Sequence, residues 1–131
     1  MTSALVVKEP YCNLILRGEK TLELRTSRLK KRGRILLVRK GSGLIVGAVE
    51  LIGCIGPLQH SELLMLGARH KADPEVLLSN PQWNYCWELG NATSLRHPVR
   101  YRHPKGAQSW VTLDDQPQVL DEVNRQLLPA D

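Results

Sequence analysis

Two apolar runs rich in Leu and β-branched residues, Arg34 to Arg39 and Leu44 to Ile55, are separated by little more than Gly41-Ser42-Gly43. Such runs read as strands, and the Gly-Ser-Gly between them reads as a hairpin turn. The second run is long for one strand, and Gly47 and Gly53 let it bend as barrel strands do. Shorter strand patterns lie at Ala4 to Val7, Tyr85 to Leu89, Val99 to His103 and Ser109 to Leu113. Thr21 to Arg25 alternates polar and apolar with period two, so Leu22 and Leu24 face a core while Thr21, Glu23 and Arg25 share the other face.

Helices punctuate these strands. Glu9-Pro10 starts one with Pro at the first helical position, Tyr11, Leu14 and Ile15 supply its apolar stripe, and Gly18 ends it in the left-handed conformation. Ser61 to Ala68 reads as a helix with a Ser cap, and Asp73-Pro74-Glu75 starts a short one that Asn80-Pro81 stops. From Pro117, Leu120, Val123 and Leu127 recur at helical spacing until Pro129. At 131 residues the chain suits one domain. The expected architecture is α+β: a small β-barrel with peripheral helices, a core over about residues 4–113, and a tail, 114–131, whose helix packs on the barrel.

Hydrophobic residues at 42% and charged residues at 24% exclude disorder and fibrous repeats. No apolar stretch approaches the roughly 20 residues of a membrane span, and Met1 to Lys8 carries no basic leader. A soluble, cytoplasmic protein is expected, without membrane partners. Cys12, Cys54 and Cys86 are far apart and odd in number, and His60, His70, His97 and His103 show no metal-ligand spacing. Neither a metal nor a cofactor is expected, and the cysteines read as small buried side chains. Phosphate loops and nucleophile elbows are absent, which excludes P-loop nucleotide hydrolysis.

Charge is concentrated. Residues 1–40 hold eleven Lys and Arg against three Glu, a local +8, whereas the tail from Asp114 holds Arg125 against five acids, or −4. The cluster Arg28, Lys30, Lys31, Arg32 and Arg34 reads either as a surface that steers polyanions such as RNA or as a solvated loop. Trp83, Tyr85, Trp87, Tyr101 and Trp110 lie late in a chain with no Phe. They either stack bases beside Arg100, Arg102 and Lys105 or fill the core, the latter being the expectation for Trp87 and Trp110.

Gly18-Glu-Lys-Thr-Leu-Glu-Leu-Arg25 is the densest polar constellation. Lys20 serves as a base if burial or nearby Arg25 lowers its pKa; alternatively Glu23 takes a proton from water while Lys20 stabilises an oxyanion. A plain ion-pair ladder on a strand is the third reading. Glu50, the single charge between Lys40 and Glu62, either faces solvent or meets Arg25 or Lys20.

The motif Gly18-x-Lys20-Thr21-x-Glu23-x-Arg25, with the opening Leu5-Val-Val-Lys-Glu-Pro-Tyr11, the strands Arg32 to Arg39 and Ile45 to Leu51, and the closing Tyr85 to Leu89, Pro98 to His103 and Gly106 to Leu113, resembles the ASCH domain of the PUA-like superfamily over about residues 5–113. The resemblance implies a β-barrel with helices outside and a cleft bordered by the signature strand. It also implies an RNA or nucleoside ligand bound by Tyr11, Lys20, Thr21, Glu23, Arg25 and Glu50, with Arg28 to Arg34 guiding phosphates. Some small members are amidohydrolases that remove acyl groups from N4-acylated cytidine with a Lys, a Thr and a Glu. Lys20 matches their Lys, whereas Glu23 stands at their hydroxyl position. RNA or modified-nucleoside binding is therefore the expected function. Hydrolysis of acylcytidine-type amides or of RNA, with Lys20 and Glu23 catalytic, and a protein-interaction module working through the acidic tail helix are the alternatives.

Overall fold

The structure, a computed structural model, describes residues 2–128. Its strands are β1 (Ser3–Val7), β2 (Leu22–Arg25), β3 (Gly33–Arg39), β4 (Leu44–Ile55), β5 (Tyr85–Arg100) and β6 (Trp110–Thr112). Its helices are α1 (Tyr11–Leu16), α2 (His60–Met65), α3 (Gly67–His70), α4 (Pro74–Ser79) and α5 (Pro117–Leu127). The six strands form one mixed sheet in the order β2-β5-β4-β3-β1-β6. All neighbours are antiparallel except β1 and β3, which run parallel with Val7 opposite Arg39.

The sheet curls so that its two halves come into side-chain contact. Trp87 of β5 stacks on Trp110 of β6 with ring centroids 5.9 Å apart, and Arg25 of β2 donates Nη2 to the Val6 carbonyl of β1 at 3.2 Å. The expected α+β architecture is present with a barrel-like sheet, a half-barrel whose seam between β2 and β1 is bridged by side chains. Alternation along β1 buries both faces: Ala4 and Val6 join a core that α5 covers with Val123, while Leu5 and Val7 join a second core that α1 completes with Cys12 and Ile15. A third cluster packs Leu22 and Leu24 of β2 with Leu63, Ala72 and Leu77 from α2 to α4. Glu23, between those leucines, is turned to the opposite face.

Several expectations shift at their boundaries. Tyr85 to Leu89 and Val99 to His103 are not separate strands: β5 is continuous through the polar stretch between them and ends at Arg100. Beyond Glu88 it pairs only with β4. An outer edge tolerates Pro98, and bulges, one holding Asn91 at φ 50°, absorb the extra residues. The α2 cap is Gln59 in a reciprocal box with Glu62, rather than Ser61, and α3 follows as a separate turn. Pro10 occupies the cap position of α1, one residue before the expected place. The expected stop at Pro129 lies outside the described residues.

Candidate functional site

The site begins at the end of α1. Gly18, at φ 78°, reverses the chain, and the Glu19 and Lys20 amides both donate to the Leu14 carbonyl at 3.0 Å. That anchors the backbone and drives the Lys20 side chain inward, where only 2% of it remains exposed. Nζ donates to the Leu22 carbonyl at 2.7 Å and the His70 carbonyl at 2.5 Å, and lies 3.5 Å from Glu23 Oε1. It also sits 5.0 Å from the centroid of the Tyr11 ring. Burial lowers the Lys20 pKa, Glu23 opposes that shift as the main counter-charge, and Arg25 adds slightly to it.

Glu23 joins the next cation: its Oε2 accepts from Arg25 Nη2 at 2.7 Å. The Arg25 guanidinium lies over Trp87, 5.5 Å from the ring centroid. A chain of charge thus runs from Lys20 through Glu23 to Arg25, and all of Arg25's hydrogen bonds use Nη2. Among the described residues, Nε and Nη1 of Arg25 stay available to a ligand.

This chain floors a cleft of about 340 Å³ at the barrel seam, at the small end of the range typical of ligand pockets. One bank is the end of β1 with Lys8, Lys40, Gln108 and Ser109. The other is β2 with Thr26, and Tyr11, Ala72 and Trp83 close the remaining sides. The Tyr11 phenol pKa is raised, first by burial and then by Asp73 and Glu23, so the group stays a neutral donor.

Of the residues expected in the cleft, Tyr11, Lys20, Glu23 and Arg25 meet there. Thr21 and Glu50 do not. Thr21 precedes β2, with its backbone bonded to Arg69 and Leu89 and its hydroxyl accepting from Arg69 Nε at 3.2 Å. Glu50 lies on β4, opposite Arg34 in the β3 register, and accepts from Asn91 Nδ2 at 2.6 Å. Its partner is therefore neither Arg25 nor Lys20. The basic cluster also lies outside the cleft lining. Arg28 bonds the Gly56 carbonyl and covers Tyr85, and Arg32 bonds the Leu29 and Lys31 carbonyls. None of Arg28, Lys30, Lys31, Arg32 and Arg34 is ion-paired among the described residues, so their field is not neutralised locally.

Sequence reasoning did not single out Lys8 or Lys40 as site residues, and it offered Trp83 only as one of five aromatic rings that stack bases or fill the core. The parallel register that sets Val7 beside Arg39 brings the two lysines together, and nothing local announces a parallel pair. Two of the three cysteines are buried as expected and poor nucleophiles, whereas Cys54 is only half-buried. Burial pushes the Cys12 thiol up to about 12 and the Cys86 thiol to about 11. His70 is fully buried: Nε2 donates to the Leu63 carbonyl at 2.7 Å, Nδ1 accepts from the Ala72 amide at 3.0 Å, and burial lowers its pKa. That fixes the neutral tautomer with the proton on Nε2. Among the described residues no group of three His, Cys, Asp or Glu side chains is placed to hold a metal ion, and no helix is long and apolar enough to cross a membrane.

A crystal structure of ASCH from Zymomonas mobilis matches this fold with a TM-score of 0.73 and 14% identity, over 93% of this chain and 94% of that one. A serine-to-alanine mutant of the Zymomonas mobilis protein matches with 0.69 and 15% identity over 92% and 94% of the two chains. A tyrosine-to-phenylalanine mutant of the same protein matches with 0.68 and 16% over 93% and 97%. At such identities the likeness is one of fold. No curated protein matches the sequence. The family model of the ASCH domain matches residues 5–99, which include most of β1, all of β2 to β4 and most of β5, and so the chain belongs to the ASCH domain family.

Proposed function

We propose that the protein binds RNA or a modified nucleoside by taking one nucleoside unit into the cleft of Lys20, Glu23 and Arg25. The observation that carries this reading is the ionic chain buried at the floor of an open cleft. Buried ion pairs rarely stabilise a fold better than apolar residues of equal volume, so a charged floor beneath an open cavity fits a ligand better than it fits packing. Tyr11 and Trp83 offer aromatic faces for a base. Arg25 Nε and Nη1 supply donors and the Glu23 carboxylate an acceptor for the base edge, and the unpaired basic cluster holds the flanking phosphates. Titration with short single-stranded RNA, the four ribonucleosides and N4-acetylcytidine, followed by tryptophan fluorescence, should give saturable binding that Arg25→Gln weakens. Absence of binding to every one of these probes would remove the reading.

Hydrolysis of an N4-acylcytidine-type amide, or of RNA, is a second reading with one observation in its favour. Burial lowers the Lys20 pKa beside the Glu23 carboxylate, so two groups able to transfer protons share the cleft floor. Mass spectrometry of acylated nucleosides and RNA incubated with the protein separates the two readings. Product formation that Glu23→Gln slows by about 10²- to 10⁴-fold in kcat, with little change in binding, identifies a general base. Binding without product leaves the first reading alone.

A further inference from the structure

We propose that Lys8 and Lys40 form a phosphate subsite at the mouth of the cleft, so that its ligand is a nucleotide and not a free nucleoside; this rests on the reading of the cleft as a nucleoside site. The two lysines are brought together by topology. Because β1 and β3 run parallel and Val7 faces Arg39, each lysine is the residue that follows its strand, and the Lys40 amide donates to the Val7 carbonyl at 3.0 Å. Ends of neighbouring parallel strands are a recurrent place for ligands. Both residues line the cleft, and both are exposed to solvent.

No acid answers them. Glu9, beside Lys8 in sequence, is taken by Arg39 Nε at 2.8 Å. Glu23, the single carboxylate among the cleft-lining residues, is already bonded to Arg25 and paired with Lys20. Four cations therefore share the cleft with one carboxylate, a net charge of +3 with every amine protonated. Lys8 and Lys40 pair with no carboxylate among the described residues. Two unpaired lysines that follow neighbouring strands and line one cleft are suited to a group carrying one to two negative charges. Lys8 Nζ lies 6.0 Å from the Tyr11 ring centroid, so a phosphate on Lys8 is next to the aromatic face offered to the base. The cluster Arg28 to Arg34 does not line the cleft and serves phosphates further along a strand.

Isothermal titration with the four ribonucleosides, their 3′- and 5′-monophosphates and inorganic phosphate tests this in the wild type and in a Lys8→Gln, Lys40→Gln double variant. Both residues are solvent-exposed, and unchanged circular dichroism would show that the variant folds. In the wild type at least one monophosphate should bind about tenfold or more tightly than its nucleoside. In the double variant that advantage should shrink to about threefold or less, and inorganic phosphate should compete only weakly with the nucleotide. Nucleosides that bind as tightly as their monophosphates would overturn the subsite and leave the nucleoside reading standing. Inorganic phosphate binding as tightly as the monophosphates would overturn the nucleotide assignment. Failure of every nucleoside and nucleotide to bind would sink both readings together.

Discussion

The Lys20 ammonium lies 2.5 Å from the His70 carbonyl oxygen, a bond between residues fifty positions apart. His70 ends α3, and its ring is clamped between the Leu63 carbonyl and the Ala72 amide. A neutral, buried imidazole therefore fixes the carbonyl that positions the charge of the cleft. The helical crossover between β4 and β5 holds the Lys20 charge through this oxygen, and lines the cleft with Ala72 and Trp83.

Lys20→Met should cost stability as well as ligand affinity. The substitution keeps the stem but leaves the Leu22 and His70 carbonyls without their donor and Glu23 without one of its two cations. Unsatisfied buried acceptors cost about 1–3 kcal/mol each, so a melting temperature lower by roughly 5–15 °C is expected by calorimetry. A melting temperature within about 2 °C of wild type would show that the ammonium is a surface-like feature.

The lowered Lys20 pKa also gives stability a sign at alkaline pH. Because the unfolded chain holds its proton up to the ordinary value of 10.5 while the folded chain gives it up earlier, stability rises with pH between the lowered folded value and 10.5. Subtracting the Lys20→Met unfolding curve from that of wild type isolates this contribution, and a difference that falls with pH in that window would reverse the assignment.

His70 acts in the acid direction. Its folded pKa lies below the ordinary 6.5, so the unfolded chain binds a proton first and stability is lost as pH falls from about 6.5 through the folded value. Denaturant titrations from pH 7.5 to 4.5 should show this loss in wild type and much less of it in His70→Gln. Long-range ¹⁵N spectra at pH 7.5 should report the neutral tautomer with hydrogen on Nε2; hydrogen on Nδ1 would contradict the clamp.

Two glycines should respond in opposite directions. A Cβ on Gly47 would run into Leu16 Cδ2 and lie 2.5 Å from the Thr93 carbonyl oxygen, so Gly47→Ala is expected to destabilise by about 2–4 kcal/mol in urea unfolding. Gly67, at the start of α3, has open space at the same point, and Gly67→Ala should stabilise by about 0.5–1 kcal/mol.

Replacing Lys30, Lys31 and Arg32 by Glu should lower the magnitude of the salt slope of RNA binding by about 2, since each lost phosphate contact on a single strand removes about 0.7 from it. An unchanged slope would reduce the cluster to a solvated loop.

How much of this was legible in the sequence differs by element. Alternation at Thr21 to Arg25 separated Leu22 and Leu24 from Glu23 correctly, because a strand's faces follow from its period of two. The hairpin of β3 and β4 was equally plain from its glycine turn. The continuity of β5 was not: its polar middle is kept extended by pairing with β4 alone, a tertiary effect that propensity does not record. For Glu50 the solvent-facing alternative fits and the partnership with Arg25 or Lys20 does not, for a related reason. A lone acid in an apolar run demands a partner, but the bulge that turns Asn91 toward it cannot be read locally. Lys8 and Lys40 escaped because they become neighbours only through a parallel strand pairing.

The seam between β2 and β1 has a consequence for divergence. A backbone ladder fixes neighbouring strands at roughly 4.8 Å, but here the Arg25 guanidinium, lying over Trp87, bridges the two strands. The aperture of the cleft is therefore adjustable by the length of a few side chains, and exchanging one at position 25 resizes it while every strand keeps its register. In such a barrel the frame and the fitting inherit separately: what the mouth admits can be retooled from one chain to the next while the sheet behind it stays the same.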